Sequence, residues 1–293
     1  MMIITYGSAS KDLARSVGSL TGFPVVETVC RRFPDGEQLV KVQGDVRSED
    51  VALIQTTALD PDSRLMEYAL IVDALKGAGC RSVTGVIPYM AYARQDSRFH
   101  PGEPLSAKLF ARLIEAPGTD RLFTVDMHLH RLREIQDVFQ IPAVNLSAMP
   151  LLADYYREHF GSGKVMVTGP DAESGQWARL VADRLSVSCT ILQKERAGDR
   201  EVSVTGNLTS AGCRVVLVDD IVSTGRTLIE VISKLRHGGA ERIDALVTHP
   251  LLMGDALDEL KKAGLGELIT TDTVPGRSAT VSIAPLLAEA LSR

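Results

Sequence analysis

Val215–Pro250 reads VVLVDDIVSTGRTLIEVISKLRHGGAERIDALVTHP. It opens on an apolar, β-branched run, and a second such run follows at Ile243–Thr248. Between them Leu228, Ile229, Ile232 and Leu235 lie on one helical stripe, and Gly239 stands where that helix should stop. The pattern is strand, loop, helix, strand. Strands without polar alternation are buried on both faces, as in parallel sheets covered by helices, so the stretch predicts an α/β fold.

The same pattern recurs 160 residues earlier, where Leu70–Pro88 reads LIVDALKGAGCRSVTGVIP. Under that offset Tyr68, Ala69, Val72 and Leu75 take the places of Leu228, Ile229, Ile232 and Leu235, and Gly79 that of Gly239. Val83–Ile87 answers Ile243–Val247, and Val51–Ile54 answers Val215–Val218 through a loop four residues longer. Further short apolar runs at Met2–Tyr6, Leu122–Val125 and Val165–Thr168 alternate with helical patterns. We read a duplicated β-loop-α-β unit and hence two similar domains, 1–146 and 147–293. The division falls near Ile141-Pro142 and Ala148-Met149-Pro150.

The composition of the 293 residues, 45% hydrophobic and 24% charged with 24 glycines, is that of a globular chain able to bury a core. A net charge of −5 argues against a broadly basic surface and so against nucleic acid as a partner. Any anionic ligand must be gripped locally. The start MMIITYGSASK has no basic leader followed by a long apolar stretch, and no run of 18 apolar residues occurs, so no membrane partner and a cytoplasmic location are expected. Cys30, Cys80, Cys189 and Cys213 lie far apart without a CxxC pair, which predicts buried free thiols rather than a zinc site or disulfides.

Chemistry concentrates in the second copy. Its strand ends in Asp219-Asp220, and Ser223-Thr224-Gly225-Arg226-Thr227 leads into a helix beginning near Leu228. Successive backbone N–H groups, the hydroxyls of Ser223, Thr224 and Thr227, and the positive helix end form an anion cradle. The carboxylates beside it suit ribose hydroxyls, directly or through a metal. At the same place the first copy reads QTTALDPDSRL (Gln55–Leu65), with neither glycine nor acidic pair, so only the second half is expected to hold a phosphate in this loop.

An acidic pair followed by a Thr/Gly loop resembles the fingerprint of type I phosphoribosyltransferase-fold proteins. Six further segments occur in one order: RRFPDGEQLVKV (Arg31–Val42), YARQD (Tyr92–Asp96), PLSAKL (Pro104–Leu109), DMH (Asp126–His128), GPDA (Gly169–Ala172) and KER (Lys194–Arg196). With them the chain resembles the ribose-phosphate pyrophosphokinase family across essentially its whole length. The resemblance implies two type I phosphoribosyltransferase-like domains with mainly parallel sheets. It also implies Mg2+-dependent transfer of the diphosphoryl group of ATP to the 1-hydroxyl of ribose 5-phosphate, giving phosphoribosyl pyrophosphate and AMP.

Residue roles follow by the same resemblance. Phe33, Asp35 and Glu37 match a nucleotide loop that family members present to a neighbouring subunit, which implies a homo-oligomer, at least a dimer. Arg94 and Gln95 match contacts to the ATP phosphates and base. His128 matches a catalytic phosphate or metal contact, and Asp171 a Mg2+-associated aspartate. Lys194 and Arg196 match the basic pair of a catalytic loop. Asp219, Asp220, Ser223, Thr224, Gly225, Arg226 and Thr227 match the ribose 5-phosphate site. His130 gives an HxH spacing with His128, which is either a ligand pair or two residues sharing a strand face.

The chain also departs from the family pattern. Arg226 stands where glycine is usual and demands a backbone open to a side chain. Glu173 follows Asp171 where small residues are commoner, the segment after Arg196 is shorter, and Phe99-His100-Pro101-Gly102 replaces a more basic stretch. Arg226 and Glu173 keep a second reading open, a catalytically silent regulatory paralogue that binds phosphoribosyl pyrophosphate or nucleotides.

Overall fold

The computed structural model describes all residues except His130, Arg133, Ser162, 198–200, 206–209 and Arg277, and gives 193–197 and 201–205 by their backbone alone. The chain divides into two compact units. One comprises residues 1–147, 273–275 and 282–293; the other comprises 148–272 and 276–281.

In the first unit β1 (Met2–Tyr6) leads to α1 (Lys11–Thr21), which Gly22 stops in the left-handed conformation at φ 73°, its N–H returning to the Gly18 carbonyl. An antiparallel hairpin follows, β2 (Glu27–Arg32) and β3 (Gln38–Gln43), then β4 (Asp50–Ile54). The helix α2 (Pro61–Gly77) starts on a proline, whose missing N–H has no partner to lose at that position. Strand β5 (Ser82–Ile87), α3 (Ser106–Glu115), β6 (Arg121–Val125) and β7 (Ala143–Leu146) complete the series. Among the described residues β1, β4, β5, β6 and β7 form, in that order, a parallel sheet. Outside β1, Val25 adds a single parallel bridge to Ile4. Tyr68 of α2 is fully buried, its hydroxyl 2.9 Å from the Thr119 hydroxyl. A Cβ on Gly85 would lie 2.2 Å from that tyrosine oxygen, so β5 carries glycine where the ring seats.

The second unit runs α4 (Met149–Phe160), β8 (Val165–Gly169), α5 (Gly175–Leu185), β9 (Ser188–Ile191), the antiparallel hairpin β10 (Gln193–Ala197) and β11 (Glu201–Thr205), then β12 (Arg214–Val222). It continues through α6 (Arg226–His237), β13 (Arg242–Pro250), α7 (Ala256–Ala263) and β14 (Leu268–Thr270). Among the described residues its sheet is also parallel, ordered β14-β13-β12-β8-β9. The last helix, α8 (Ala284–Leu291), groups with the first unit and packs on α1.

The duplication is visible in this topology. Each unit runs strand, helix, parallel edge, antiparallel hairpin, strand, helix, strand, helix, strand. Val25-β1-β4-β5-β6 repeats the spatial order β9-β8-β12-β13-β14. The stripes read from the sequence face the cores: Tyr68, Val72 and Leu75 are buried in one unit, and Leu228, Ile232 and Leu235 in the other. Strands that the apolar runs do not mark, namely β2, β3, β9, β10 and β11, are polar or half-exposed; β7 and β14 are short edges. The expectation of buried thiols is corrected in part. The cysteines are free, but Cys189 is exposed on the edge strand β9, and the other three are only half-buried.

Candidate functional site

In the second unit the acidic pair lies near the carboxyl end of the central strand β12, which does not end at the pair as the sequence suggested but runs on to Val222, paired with β13; β8 flanks its other side. Open parallel sheets place ligands beyond these carboxyl ends. Asp220 is buried and its backbone N–H donates to Asp219 Oδ1 at 3.0 Å. Burial, then the negative charges of Asp220 and Asp171, push the Asp219 carboxyl well above the usual carboxylate range. Asp171 therefore feels the pair from the end of the neighbouring strand. Its Oδ1 accepts the Ser174 N–H at 3.0 Å, and the Ser174 hydroxyl donates to its carbonyl at 2.7 Å, which fixes the carboxylate at the start of α5.

The loop then turns into α6. Gly225 makes the turn at φ 72°, the left-handed conformation that glycine adopts without strain. Arg226 is the first helical residue, so its side chain leaves an ordinary helical backbone; the position that demands glycine is one residue earlier. The helix starts two residues ahead of Leu228. Thr224 and Arg226 are exposed and Ser223 and Thr227 half-buried. This combination of outward side chains at a helix N-terminus is what an anion cradle needs.

A support absent from the sequence reading lies behind the loop. The Leu252 N–H donates to the Val222 carbonyl at 3.1 Å and the Met253 N–H to the Ser223 carbonyl at 3.0 Å. Leu252 holds φ 42°, a left-handed backbone that a branched residue rarely adopts. Nothing in the local sequence marks Leu252 as strained, so this brace was not legible there.

The first unit holds different chemistry at the counterpart position. Gln55 stands where the second unit has Asp219, and its amide donates to Glu67 Oε1 at 2.6 Å. The Ser8 N–H and hydroxyl donate to the same carboxylate, each at 2.7 Å to one of its oxygens. A carboxylate of α2 thus takes up the hydrogen bonds that Ser8 and Gln55 offer in the first unit.

The other sequence-predicted residues of this unit sit on three loops. Phe33, Asp35 and Glu37 form the tip of the β2–β3 hairpin: the Phe33 N–H donates to the Glu37 carbonyl at 2.8 Å and the Glu37 N–H to Asp35 Oδ1 at 3.1 Å. Asp35 and Glu37 are exposed, and the Arg31 guanidinium lies 5.2 Å from the centroid of the Phe33 ring. Arg94 is exposed on the loop after β5. Gln95 is tied inward, accepting from the Ser106 hydroxyl at one end of its amide and donating to Glu103 at 3.4 Å from the other. His128 is half-buried just beyond β6. Lys194 and Arg196 lie on β10, opposite Val204 and Val202 of β11, and His130 lies outside the described residues.

Among the described residues no three His, Cys, Asp or Glu side chains converge as a metal cage, and no helix is long and apolar enough to cross a membrane. Fold and site together define a class, proteins built from two type I phosphoribosyltransferase-like domains. Residues 2–118 match the model for the N-terminal domain of ribose phosphate pyrophosphokinase, and residues 134–263 match the phosphoribosyl transferase domain. Relatives named ribose-phosphate pyrophosphokinase span the chain. The protein of Maricaulis maris is 38% identical, covering 100% of this chain and 96% of its own. That of Methanobrevibacter smithii is 35% identical over 99% of both. The crystal structure of phosphoribosylpyrophosphate synthetase from Mycobacterium smegmatis superposes with a TM-score of 0.90 at 31% identity, covering 99% of this chain and 97% of that one. The chain belongs to the ribose-phosphate pyrophosphokinase family.

Proposed function

We propose that the protein transfers the diphosphoryl group of ATP to the 1-hydroxyl of ribose 5-phosphate, yielding phosphoribosyl pyrophosphate and AMP. The observation that carries this reading is full-length membership of the family together with one intact cradle: Asp219-Asp220 near the carboxyl end of a central strand, then a loop turned by Gly225 into α6. In that cradle the backbone N–H groups of 223–227, with the hydroxyls of Ser223, Thr224 and Thr227, hold the 5-phosphate. The carboxylates of Asp219 and Asp220 accept the ribose hydroxyls. Arg226 adds a cation at the phosphate, and its ordinary helical backbone supports an active site over a silent regulator. The attacking hydroxyl meets the β-phosphorus in line, so the protein's part is positioning and charge stabilisation.

ATP is held by Arg94, whose guanidinium fork matches phosphate oxygens, and by His128. Gln95 contributes by shaping the loop that carries Arg94, the reading its inward hydrogen bonds favour. Phe33, Asp35 and Glu37 receive adenine on an exposed hairpin tip, a placement suited to serving a neighbouring copy in a homo-oligomer of at least two chains. Lys194 and Arg196 stabilise charge on the transferring group. A Mg2+ requirement fits the residues present. The mutual repulsion of Asp171, Asp219 and Asp220 favours a bound cation, and few protein ligands suit an ion that keeps waters and substrate phosphates. Asp171 is the candidate metal ligand of the second unit and His128 that of the first, and a bound ion would supply neutralisation of phosphate charge. We place the protein in the cytoplasm, where these substrates occur. Position-specific labelling tests the chemistry: label from the β-phosphate of ATP should appear in the sugar product and label from the α-phosphate in AMP. Label from the γ-phosphate alone in the sugar would overturn it.

A further inference from the structure

Two loops of the first unit leave the carboxyl ends of neighbouring parallel strands, β5 and β6. One carries Arg94 and the other His128. Each leaves through a strained turn, Tyr92 at φ 62° and Asp126 at φ 37°, a backbone that non-glycine residues hold only where surrounding contacts enforce it. A side chain ties the two loops together. Asp96, two residues beyond Arg94, has a fully buried carboxylate. One of its oxygens accepts the backbone N–H of Arg131 at 2.8 Å, and the other pairs with the Arg131 guanidinium at 2.9 Å. The same guanidinium lies 4.8 Å from the centroid of the Phe99 ring, which belongs to the Arg94 loop. The Phe99 N–H in turn donates to Glu103 at 2.8 Å, and the carboxylate that receives it also receives Gln95.

We propose that Asp96 is a positioning residue: through Arg131 it locks the loop bearing Arg94 to the segment bearing His128, and so sets the spacing of two groups that act on the ATP phosphates. This rests on the diphosphokinase reading given above. Burying a carboxylate is costly unless it is paired and hydrogen-bonded. Here it is spent on a segment 35 residues away in sequence, gripped at both main chain and side chain. Because displacement of reacting groups by about 1 Å can cost on the order of 100-fold in rate, a lock at this place acts on turnover more than on binding.

The test measures kcat, the ATP and ribose 5-phosphate KM values and thermal melting of the full chain with Asp96→Ala and Asp96→Asn. Asparagine keeps an acceptor for the Arg131 N–H but sets an amide NH2 where the guanidinium is received, so it breaks the ion pair while keeping the side-chain volume and serves if the alanine variant does not fold. The expected result is a fall in kcat of at least about 10-fold, larger for alanine, in folded protein, with ribose 5-phosphate KM within about 2-fold. That cradle belongs to the other unit. Folded Asp96→Asn or Asp96→Ala protein with kcat within about 2-fold of wild type overturns the positioning role and leaves the diphosphokinase reading standing. Absence of turnover in the wild type overturns both.

Discussion

The Cβ that Gly225 lacks would lie 3.2 Å from Leu260 Cγ, with both methyl carbons of that leucine at 3.4 Å. The loop leading into α6 is therefore seated directly on α7, at a residue whose φ of 72° already excludes most side chains. Gly225→Ala should destabilise the second unit by about 1–2 kcal/mol through strain and crowding. It should also raise the ribose 5-phosphate KM by at least about 10-fold while leaving ATP affinity unchanged. Steady-state kinetics with a parallel thermal scan checks both; an unaltered KM would show that the loop does not bind the sugar phosphate.

Arg226→Gly, which restores the residue usual in the family, should change little. The arginine backbone is helical and its cation is exposed, so glycine costs about 1 kcal/mol of helix propensity and one screened charge. The ribose 5-phosphate KM is expected to move by less than about 10-fold. A larger rise would mean that Arg226 itself is a principal phosphate ligand, and a larger fall that its side chain hinders the phosphate.

The fold was legible wherever burial is two-sided. Val215–Val218 is wholly apolar and Val83–Ile87 is buried throughout with Thr84 its one polar side chain, and their neighbouring helices show one apolar stripe each. The hairpins were not legible, because Arg31–Val42 and Gln193–Thr205 are held by main-chain pairing and leave little periodic trace in side chains. Within the site, Asp219, Asp220 and the glycine turn could be read from residue type, since each has a local chemical reason. The brace at Leu252, the Ser174 turn under Asp171 and the Asp96–Arg131 lock could not, because each depends on what tertiary folding brings beside it.

Thiol reactivity should follow burial. Burial, with Glu67 nearby, pushes the Cys30 thiol up to about 12, so its thiolate fraction at pH 8 is on the order of 1 in 10,000. Iodoacetamide at pH 8 should modify exposed Cys189 before Cys30, as read by peptide mass mapping of the folded chain. Early modification of Cys30 would show that burial and the Glu67 carboxylate do not hold its thiol up.

Lys194→Ala should abolish turnover while ATP still binds, with a loss of roughly 10²–10³ or more in kcat expected for a donor that acts mainly on the transition state. Equilibrium binding of ATP beside a product assay separates the two effects. Near-normal rates in this variant would remove Lys194 from the mechanism.

On the proposed function, a net-negative chain with one cradle makes phosphoribosyl pyrophosphate. Its most direct test incubates wild-type protein with ATP, Mg2+ and ribose 5-phosphate and quantifies AMP and phosphoribosyl pyrophosphate together. Equal molar amounts of both are expected, formed only when the sugar phosphate is present. Bound nucleotide with neither product formed would contradict it, and would leave the chain a binding protein built on the same two domains.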